Sequence, residues 1–329
     1  MKDKTLVILA AGMGSRFGGP KQLYPIGPNG EFIMDYSIYS AKKYGFTKVV
    51  FVTKDELLDQ FKNTIAKRIE GKIKYDFAIQ RLTDLPDGIN IPEGREKPWG
   101  TAHALYCARN LIEGDLAVIT ADDFYGDEGI RDLAYSMDGR SYTIVGYHIA
   151  DTMSLNGKVK RGVSIVENGF VKDIIESECN IEDDHVKCVP LDKSIPPFNV
   201  PFDSSVSMLM YSFTPEIFDA VDKEINEVFE KNADNLEQCE VLLPDVISKE
   251  IKNGKIVKDI PTQSKWVGIT YKEDAEELKN YVNMLIDEDV YPRDLWKQEK
   301  NSRLLSWVLL LHDIIFIGEH IWHKNDIMS

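Results

Sequence analysis

Leu6 to Gln22, reading LVILAAGMGSRFGGPKQ, constrains this chain more than any other stretch. The apolar run Thr5 to Leu9 has the length and composition of a buried strand. It breaks into a turn with glycines at 12 and 14, an arginine at 16 and the pair Pro20-Lys21. The two glycines remove side chains, so backbone N–H groups can close on a phosphate. Arg16 and Lys21 add the positive charge that a triphosphate demands. Two familiar phosphate loops are excluded. A Walker A loop needs Gly-Lys-Ser/Thr, which does not follow here, and a dinucleotide fingerprint needs glycine three residues after Gly14, where Phe17 stands.

Strand and helix patterns alternate from there. A turn at Gly27 to Gly30 precedes a helix over Asp35 to Tyr44, stopped by Gly45. Lys48 to Thr53 reads as a second strand, Asp55 to Glu70 as a helix and Ile73 to Ile79 as a third strand. Arg81 to Lys97 is polar and reads as a surface loop able to close over a substrate. Thr101 is placed to cap a helix running to about Ile112. Leu116 to Thr120 is a fourth apolar strand, ending in Ala121-Asp122-Asp123. Carboxylates at that end of a parallel strand stand where ligands bind in open sheets, and a hard cation such as Mg²⁺ takes carboxylate and phosphate oxygens. The alternation predicts an α/β fold with a doubly wound, mainly parallel sheet.

The second half is read more loosely. Tyr142 to His148 is a strand, and Asn168-Gly169 between two alternating runs predicts a hairpin over Arg161 to Glu176 with a type I′ turn. Cys179 to Asp203 reads as a loop rich in proline and charge. Ser204 to Phe213 is a strand, and Thr214-Pro215 opens an amphipathic helix to Lys231. Leu242 to Ile251 and Lys272 to Ile286 read as helices around a short strand at Ile256 to Ile260. Leu304 to Ile317 is strongly apolar but shorter than the ~18 residues of a membrane span, and His312-Asp313 interrupts it. It reads as an amphipathic docking or dimer helix, which leaves a homo-oligomer open and gives no stable membrane span. His320 and His323 read as solvent-facing.

Charge bounds the partners. A formal net charge of −15 is the opposite of what a general nucleic-acid binder carries, so no nucleic acid is expected. A nucleotide substrate remains compatible with it if local cations and a divalent metal overcome the field. Cys107, Cys179, Cys188 and Cys239 have neither C-x-x-C nor zinc-finger spacing. They read as reduced thiols of a cytoplasmic protein, and no signal peptide is recognised at the N-terminus.

The glycine turn resembles the signature of the sugar-1-phosphate nucleotidyltransferases, or NDP-sugar pyrophosphorylases, of the nucleotide-diphospho-sugar transferase superfamily. Their pattern is Gly-x-Gly-Ser/Thr-Arg followed by Pro-Lys. The resemblance spans roughly residues 5 to 290 and is specific through residue 126. It implies a Rossmann-like three-layer sandwich in one domain, 1–297, with a nucleotide half to about 125, a sugar-phosphate half after it and a helical tail at 298–329. It implies Mg²⁺-dependent transfer from an NTP to a sugar 1-phosphate, giving an NDP-sugar and pyrophosphate. By this resemblance Ala11, Gly12, Gly14 and Ser15 wrap the triphosphate, Arg16 holds the leaving pyrophosphate and Lys21 the α-phosphate. Asp122 holds the metal, with Asp123 orienting it or a water. Gln80 and Gly100, with Thr101 beside them, read the base, while His103 is structural. Gly162, Glu176 and Ser207 touch the sugar.

Two positions depart from the family pattern. Ser177 stands where a lysine usually follows the glutamate, with Lys172 and Lys265 as substitutes to consider. Gly268, after Lys265-Trp266-Val267, stands where Trp-x-Asp-x-Gly supplies a second metal carboxylate. Three other readings stay open. One is a CTP-dependent cytidylyltransferase acting on a sugar alcohol phosphate or phosphocholine. Another is a metal-dependent glycosyltransferase, disfavoured because Asp122-Asp123 lacks D-x-D spacing. The third is a non-catalytic nucleotide-sugar sensor, motivated by Gly268.

Overall fold

The computed structural model describes residues 3–12, 17, 19–86, 88–89, 91–154, 157–233, 235–269 and 272–297. Gly14, Ser15 and Arg16 of the glycine turn, and the tail from 298 with its apolar stretch and two histidines, lie outside the described residues. The chain divides into two units, residues 1–295 and 296–329, and the whole sheet belongs to the first.

Four strands form the parallel part of the sheet: β1 (Lys4–Leu9), β2 (Lys48–Thr53), β3 (Lys74–Ile79) and β4 (Asp115–Thr120), in the order β3-β2-β1-β4. β1, β2 and β4 are buried almost throughout. A parallel strand covered on both faces has no solvent side, so its sequence is a continuous apolar run. α1 (Ile33–Lys43) follows β1. Its first turn is tied by Asp35, whose carboxylate accepts the Phe32 N–H at 2.7 Å and pairs with Arg68 at 2.6 Å. α2 (Asp55–Phe61) passes through a π-helical turn at Lys62–Ala66 into α3 (Lys67–Ile69), so three labelled pieces make up the single expected helix.

α4 (Thr101–Cys107) is shorter than expected and ends in a 3-10 turn at Arg109–Leu111. Its cap residue is Gly100, not Thr101. The Thr101 hydroxyl instead accepts the Leu243 N–H at 3.0 Å, tying the helix start to a distant segment. The loop before α4 is anchored rather than loose. The buried Arg95 donates to the carbonyls of Glu237 and Cys239, both at 2.7 Å, and lies 3.6 Å from the Trp99 ring centroid.

The remaining elements are β5 (Asp123–Phe124), α5 (Gly126–Ser136), β6 (Tyr142–His148), β7 (Val159–Glu167), β8 (Phe170–Glu182), β9 (His185–Pro190), β10 (Phe198–Val200), β11 (Ser205–Phe213), α6 (Ile217–Lys231), α7 (Leu243–Lys252), β12 (Val257–Pro261), β13 (Val267–Gly268) and α8 (Lys272–Asp287). The main sheet runs β10-β9-β8-β12-β6-β11-β4-β1-β2-β3, with β7 laid against β8 and β11. β11 enters antiparallel between β4 and β6, while β12 runs parallel to β6, so parallel pairing gives way to a mixed second half. Asn168 (φ 52°) and Gly169 (φ 77°) make the expected turn between β7 and β8.

The stretch 179–203, expected as a loop, instead lengthens β8 and adds β9 and β10. Val186 and Cys188 alternate inward with exposed or half-exposed neighbours, and Pro190 ends β9 beyond its last pair with the edge strand β10. Helices cover both faces. α4, α6 and α7 pack on one another, α1 on α5. Val7 and Leu9 of β1 join Leu105, Val221 and Ile247 in one core, while Leu6 and Ile8, turned the other way by the strand period, are equally buried.

Candidate active site

The C-terminal ends of β1, β2 and β4 are stitched together just before the chain leaves the sheet. Ala10 N–H donates to Val52 O at 2.7 Å, and Ala121 N–H to Leu9 O at 3.0 Å. The glycine turn starts from this platform. Gln22, 3% exposed, donates from Nε2 to Ala10 O at 3.1 Å and Gly12 O at 3.5 Å, fixing the base of the turn from behind. A buried glutamine directly after Pro20-Lys21 was visible in the sequence, but its role there was not. Gly12 itself is exposed, with open space around it, and Ala11 is buried. Lys21 sits in a 3-10 turn at Lys21–Leu23, donates from Nζ to Ile269 O at 3.0 Å and forms an ion pair with Asp122 at the end of β4.

The far edge of the parallel part holds Gln80, Gly100 and His103 together. Gln80 N–H donates to Thr53 O at 2.8 Å. Its Nε2 donates to Gly100 O at 3.1 Å and lies 3.2 Å from His103 Nδ1. His103 is fully buried, with Nε2 2.7 Å from Asp84 O. A carbonyl only accepts, so the proton is on Nε2 and Nδ1 accepts from Gln80. Burial also lowers the His103 pKa and keeps the ring neutral. Both amide N–H groups of Gln80 are thereby engaged, and Oε1 is the atom available to a ligand. Gly100 O and His103 Nδ1 therefore set the polarity of Gln80 together, a role the sequence position of His103 did not reveal. Gly100 has φ +100°, and a Cβ there would run into the Val241 carbonyl, so the turn admits no side chain.

On the opposite side of Lys21 lies a cavity of about 330 Å³. Gly162, Glu176 and Ser207 line it together, as do Asp123, Lys160 and Arg161. Gly162 is paired with Glu176 across β7–β8 and with Ser207 across β7–β11. A Cβ on Gly162 would come within 2.8 Å of Glu176 Oε1, so glycine makes room for that carboxylate. Burial, with Asp245 nearby, raises the Glu176 pKa. Ser207 Oγ is 2.5 Å from the Tyr211 hydroxyl where β11 bulges.

Asp122 and Asp123 are adjacent carboxylates in different surroundings. Asp123 accepts from the Thr120 hydroxyl at 2.7 Å, and burial together with the Asp122 charge pushes it up to about 7. β13 pairs antiparallel with β5, setting Gly268 directly opposite Asp123. A Cβ on Gly268 would be 2.6 Å from the Trp266 ring and 3.0 Å from Asp123 Oδ1. Among the described residues, no three His, Cys, Asp or Glu side chains converge as a metal cluster.

Residues 6–130 match the family model of the MobA-like NTP transferase domain. Among curated proteins, the chain is similar to the low-salt glycan biosynthesis nucleotidyltransferase Agl11 of Haloferax volcanii, at 22% identity over 289 residues, 86% of this chain and 66% of that one. It is also similar to the UTP–glucose-1-phosphate uridylyltransferase of Bacillus subtilis, at 27% identity over 192 residues, 50% of this chain and 64% of that one. The chain thus spans about two thirds of the length of these curated relatives. A solved UDP-glucose pyrophosphorylase complexed with UDP-glucose shares the fold, with a TM-score of 0.58 at 19% identity over 86% of this chain and 99% of that one. No helix among the described residues is long and apolar enough to cross a membrane. The matched residues take in β2, β3, β4 and most of β1, with Asp122 and Asp123 beyond β4, so residues 6–130 are identified as a MobA-like NTP transferase domain.

Proposed function

We propose that the chain joins an NTP to a sugar 1-phosphate, giving an NDP-sugar and pyrophosphate. The observation that carries this reading is the place of Lys21. It reaches from the glycine turn to Asp122 and also lines the cavity that holds Gly162, Glu176 and Ser207. One cation thus stands between a phosphate loop and an acceptor pocket, where an α-phosphate must meet an incoming oxygen.

An oxygen of the acceptor phosphate attacks the α-phosphorus in line. The bond to the oxygen bridging the α- and β-phosphates breaks, and pyrophosphate leaves. Phosphate is already a competent nucleophile, so the protein's work is positioning and charge neutralisation. Ala11, Gly12, Gly14 and Ser15 wrap the triphosphate and Arg16 holds the departing pyrophosphate. Lys21 takes the α-phosphate charge. Gln80 and Gly100 read the base, with Thr101 fixing the turn beneath it. Gly162, Glu176 and Ser207 receive the sugar.

Members of this family are generally metal-dependent, and Asp122 with Asp123 fits Mg²⁺. Both are hard oxygen donors, and the upward push that one carboxylate exerts on the other is relieved by a divalent charge. With two protein ligands, the remaining positions fall to water and substrate phosphates, the habit of Mg²⁺. When bound, the ion supplies Lewis-acid polarisation of phosphate oxygens. Asp123 stands across the ladder from Gly268, which supports it as the second carboxylate that Gly268 does not provide. We read the enzyme as cytoplasmic, supported by its four free thiols, and its partners as the two small-molecule substrates.

The test is Mg²⁺-dependent pyrophosphate release with UTP, dTTP, CTP, GTP and ATP, each crossed with a panel of sugar 1-phosphates and phosphocholine. Release with a sugar 1-phosphate is the expected result. Release only with CTP and a non-sugar phosphate replaces the acceptor class. Nucleotide binding with no release across the panel makes the protein a sensor.

A further inference from the structure

The acceptor proposed above is an anion, yet its cavity already holds Asp123 and Glu176 in a chain of net charge −15. Lys21 is engaged by Asp122 and Ile269 O. A second cation is needed on the acceptor side, and the two lysines considered from sequence do not supply it. Lys172 is exposed on β8, while Lys265 lies over the Tyr281 ring with Glu277 at 3.8 Å, and neither lines the cavity.

The cavity wall instead carries Lys160 and Arg161, consecutive on β7. Arg161 is held as a prepared site. Its Nε donates to Thr152 Oγ1 at 3.0 Å, one terminal nitrogen donates to Thr152 O and the other to Lys160 O at 2.8 Å. All three acceptors are neutral oxygens, so they orient the guanidinium without cancelling its charge. Three of its five N–H donors are used in this way, which leaves two for a ligand. The Trp266 ring centroid lies 5.2 Å from the guanidinium. Across the β7–β8 ladder, the partner of Arg161 is Ser177, whose side chain is buried and donates to Ile175 O at 3.1 Å. The residue after Glu176 thus brings no charge to the cavity, and the residue opposite it does.

We propose that Arg161 binds the phosphate of the acceptor, with Lys160 beside it as a weaker point charge, and thereby restricts acceptors to phosphate monoesters. The inference rests on the nucleotidyltransferase reading. A planar fork with two remaining donors matches two oxygens of one phosphate, which fixes the orientation of the third toward the nucleotide.

The test uses the full chain, its preferred NTP and the sugar 1-phosphate on which it turns over best. Arg161→Ala is expected to raise KM for the sugar phosphate about 10- to 100-fold, the effect of losing a charge-assisted hydrogen bond, with KM for the NTP held within about twofold. Arg161→Lys keeps the charge without the fork and falls between. Inorganic phosphate serves as a second probe: it competes with the acceptor in the wild type, and this competition is lost in Arg161→Ala. If Arg161 only balances Asp123 and Glu176, the variant loses kcat while acceptor KM and phosphate competition stay intact, and the proposal is wrong. An equal rise in both KM values overturns it too. Those results leave wild-type pyrophosphate release, and with it the functional reading, standing. A wild type silent with every sugar 1-phosphate removes both. Should Arg161→Ala fail to fold, Arg161→Gln and Arg161→Lys make the same comparison.

Discussion

The two sides of the cleft are built from different materials. On the proposed base side, Gly100, Gln80 and His103 form a nearly neutral frame, fixed by a backbone wedge against Val241 and by two hydrogen bonds to one amide. On the proposed acceptor side, Lys21, Lys160 and Arg161 share a cavity with Asp123 and Glu176, and Lys21 is paired with Asp122. Under the proposed function the first side selects by shape and by which atom is a donor, and the second by charge balance, so substitutions on the second should depend on salt and those on the first should not.

Lys21 joins the glycine turn to the cavity, and its loss should be the largest effect. Lys21→Ala is expected to cut kcat about 10²–10³-fold, the scale of removing one preorganised charge at the reacting group, while circular dichroism stays that of the wild type. Pyrophosphate release measures it, and near-normal turnover would detach Lys21 from the chemistry. Next comes the backbone wedge. Gly100→Ala must place a Cβ against the Val241 carbonyl at φ +100°, which should cost about 3 kcal/mol in urea unfolding. Gly12→Ala, with open space around it, should remain within about 0.5 kcal/mol of the wild type. Equal losses at the two glycines would mean that the base side is not rigid in the way its geometry implies.

Gly268→Asp tests the charged side. Its Cβ meets the Trp266 ring at 2.6 Å and brings a third carboxylate toward Asp123. A loss of about 1–3 kcal/mol in thermal unfolding is expected, with no gain in Mg²⁺-supported turnover. A gain would show that Asp123 does not stand in for the missing carboxylate.

How much of this was legible in the sequence follows the same division. The parallel part could be read because strands buried on both faces leave continuous apolar runs, and β2 spans the expected Lys48–Thr53 around the run Val49 to Val52. β9 and β10 could not, because these short strands at one end of the sheet alternate with polar residues and are ended or flanked by prolines that imitate a loop. Gly162, Glu176 and Ser207 came from the resemblance to the nucleotidyltransferases, and the ladders then set Gly162 opposite both Glu176 and Ser207. Arg161 was missed because its anchor is Thr152 and nothing local distinguishes it from other basic residues. Arg95 was missed for a related reason: its partners are backbone carbonyls about 140 residues away, and a carbonyl leaves no mark on composition.

The smallest effect is also the one that reads the base side directly. His103 has its pKa lowered by burial, below the 6.5 of an unburied histidine. The unfolded chain therefore takes up a proton before the folded one does. The stability this group contributes is complete above pH 6.5, falls as pH drops below that value and levels off once pH passes the folded pKa. Its slope is at most about 1.4 kcal/mol per pH unit. The same protonation turns Nδ1 into a donor facing Gln80 Nε2, which Gly100 O holds in place as a donor, so two donors oppose each other and the amide is pushed from its position beside the base. KM for the NTP should then rise only as pH falls to the lowered pKa of the folded chain, while KM for the acceptor follows a different profile. His103→Gln should flatten the NTP profile, because a neutral amide has no proton to gain in that range. If the profile survives that substitution, the polarity of Gln80 is set elsewhere, and the contrast between a neutral base side and a charged acceptor side loses its main support.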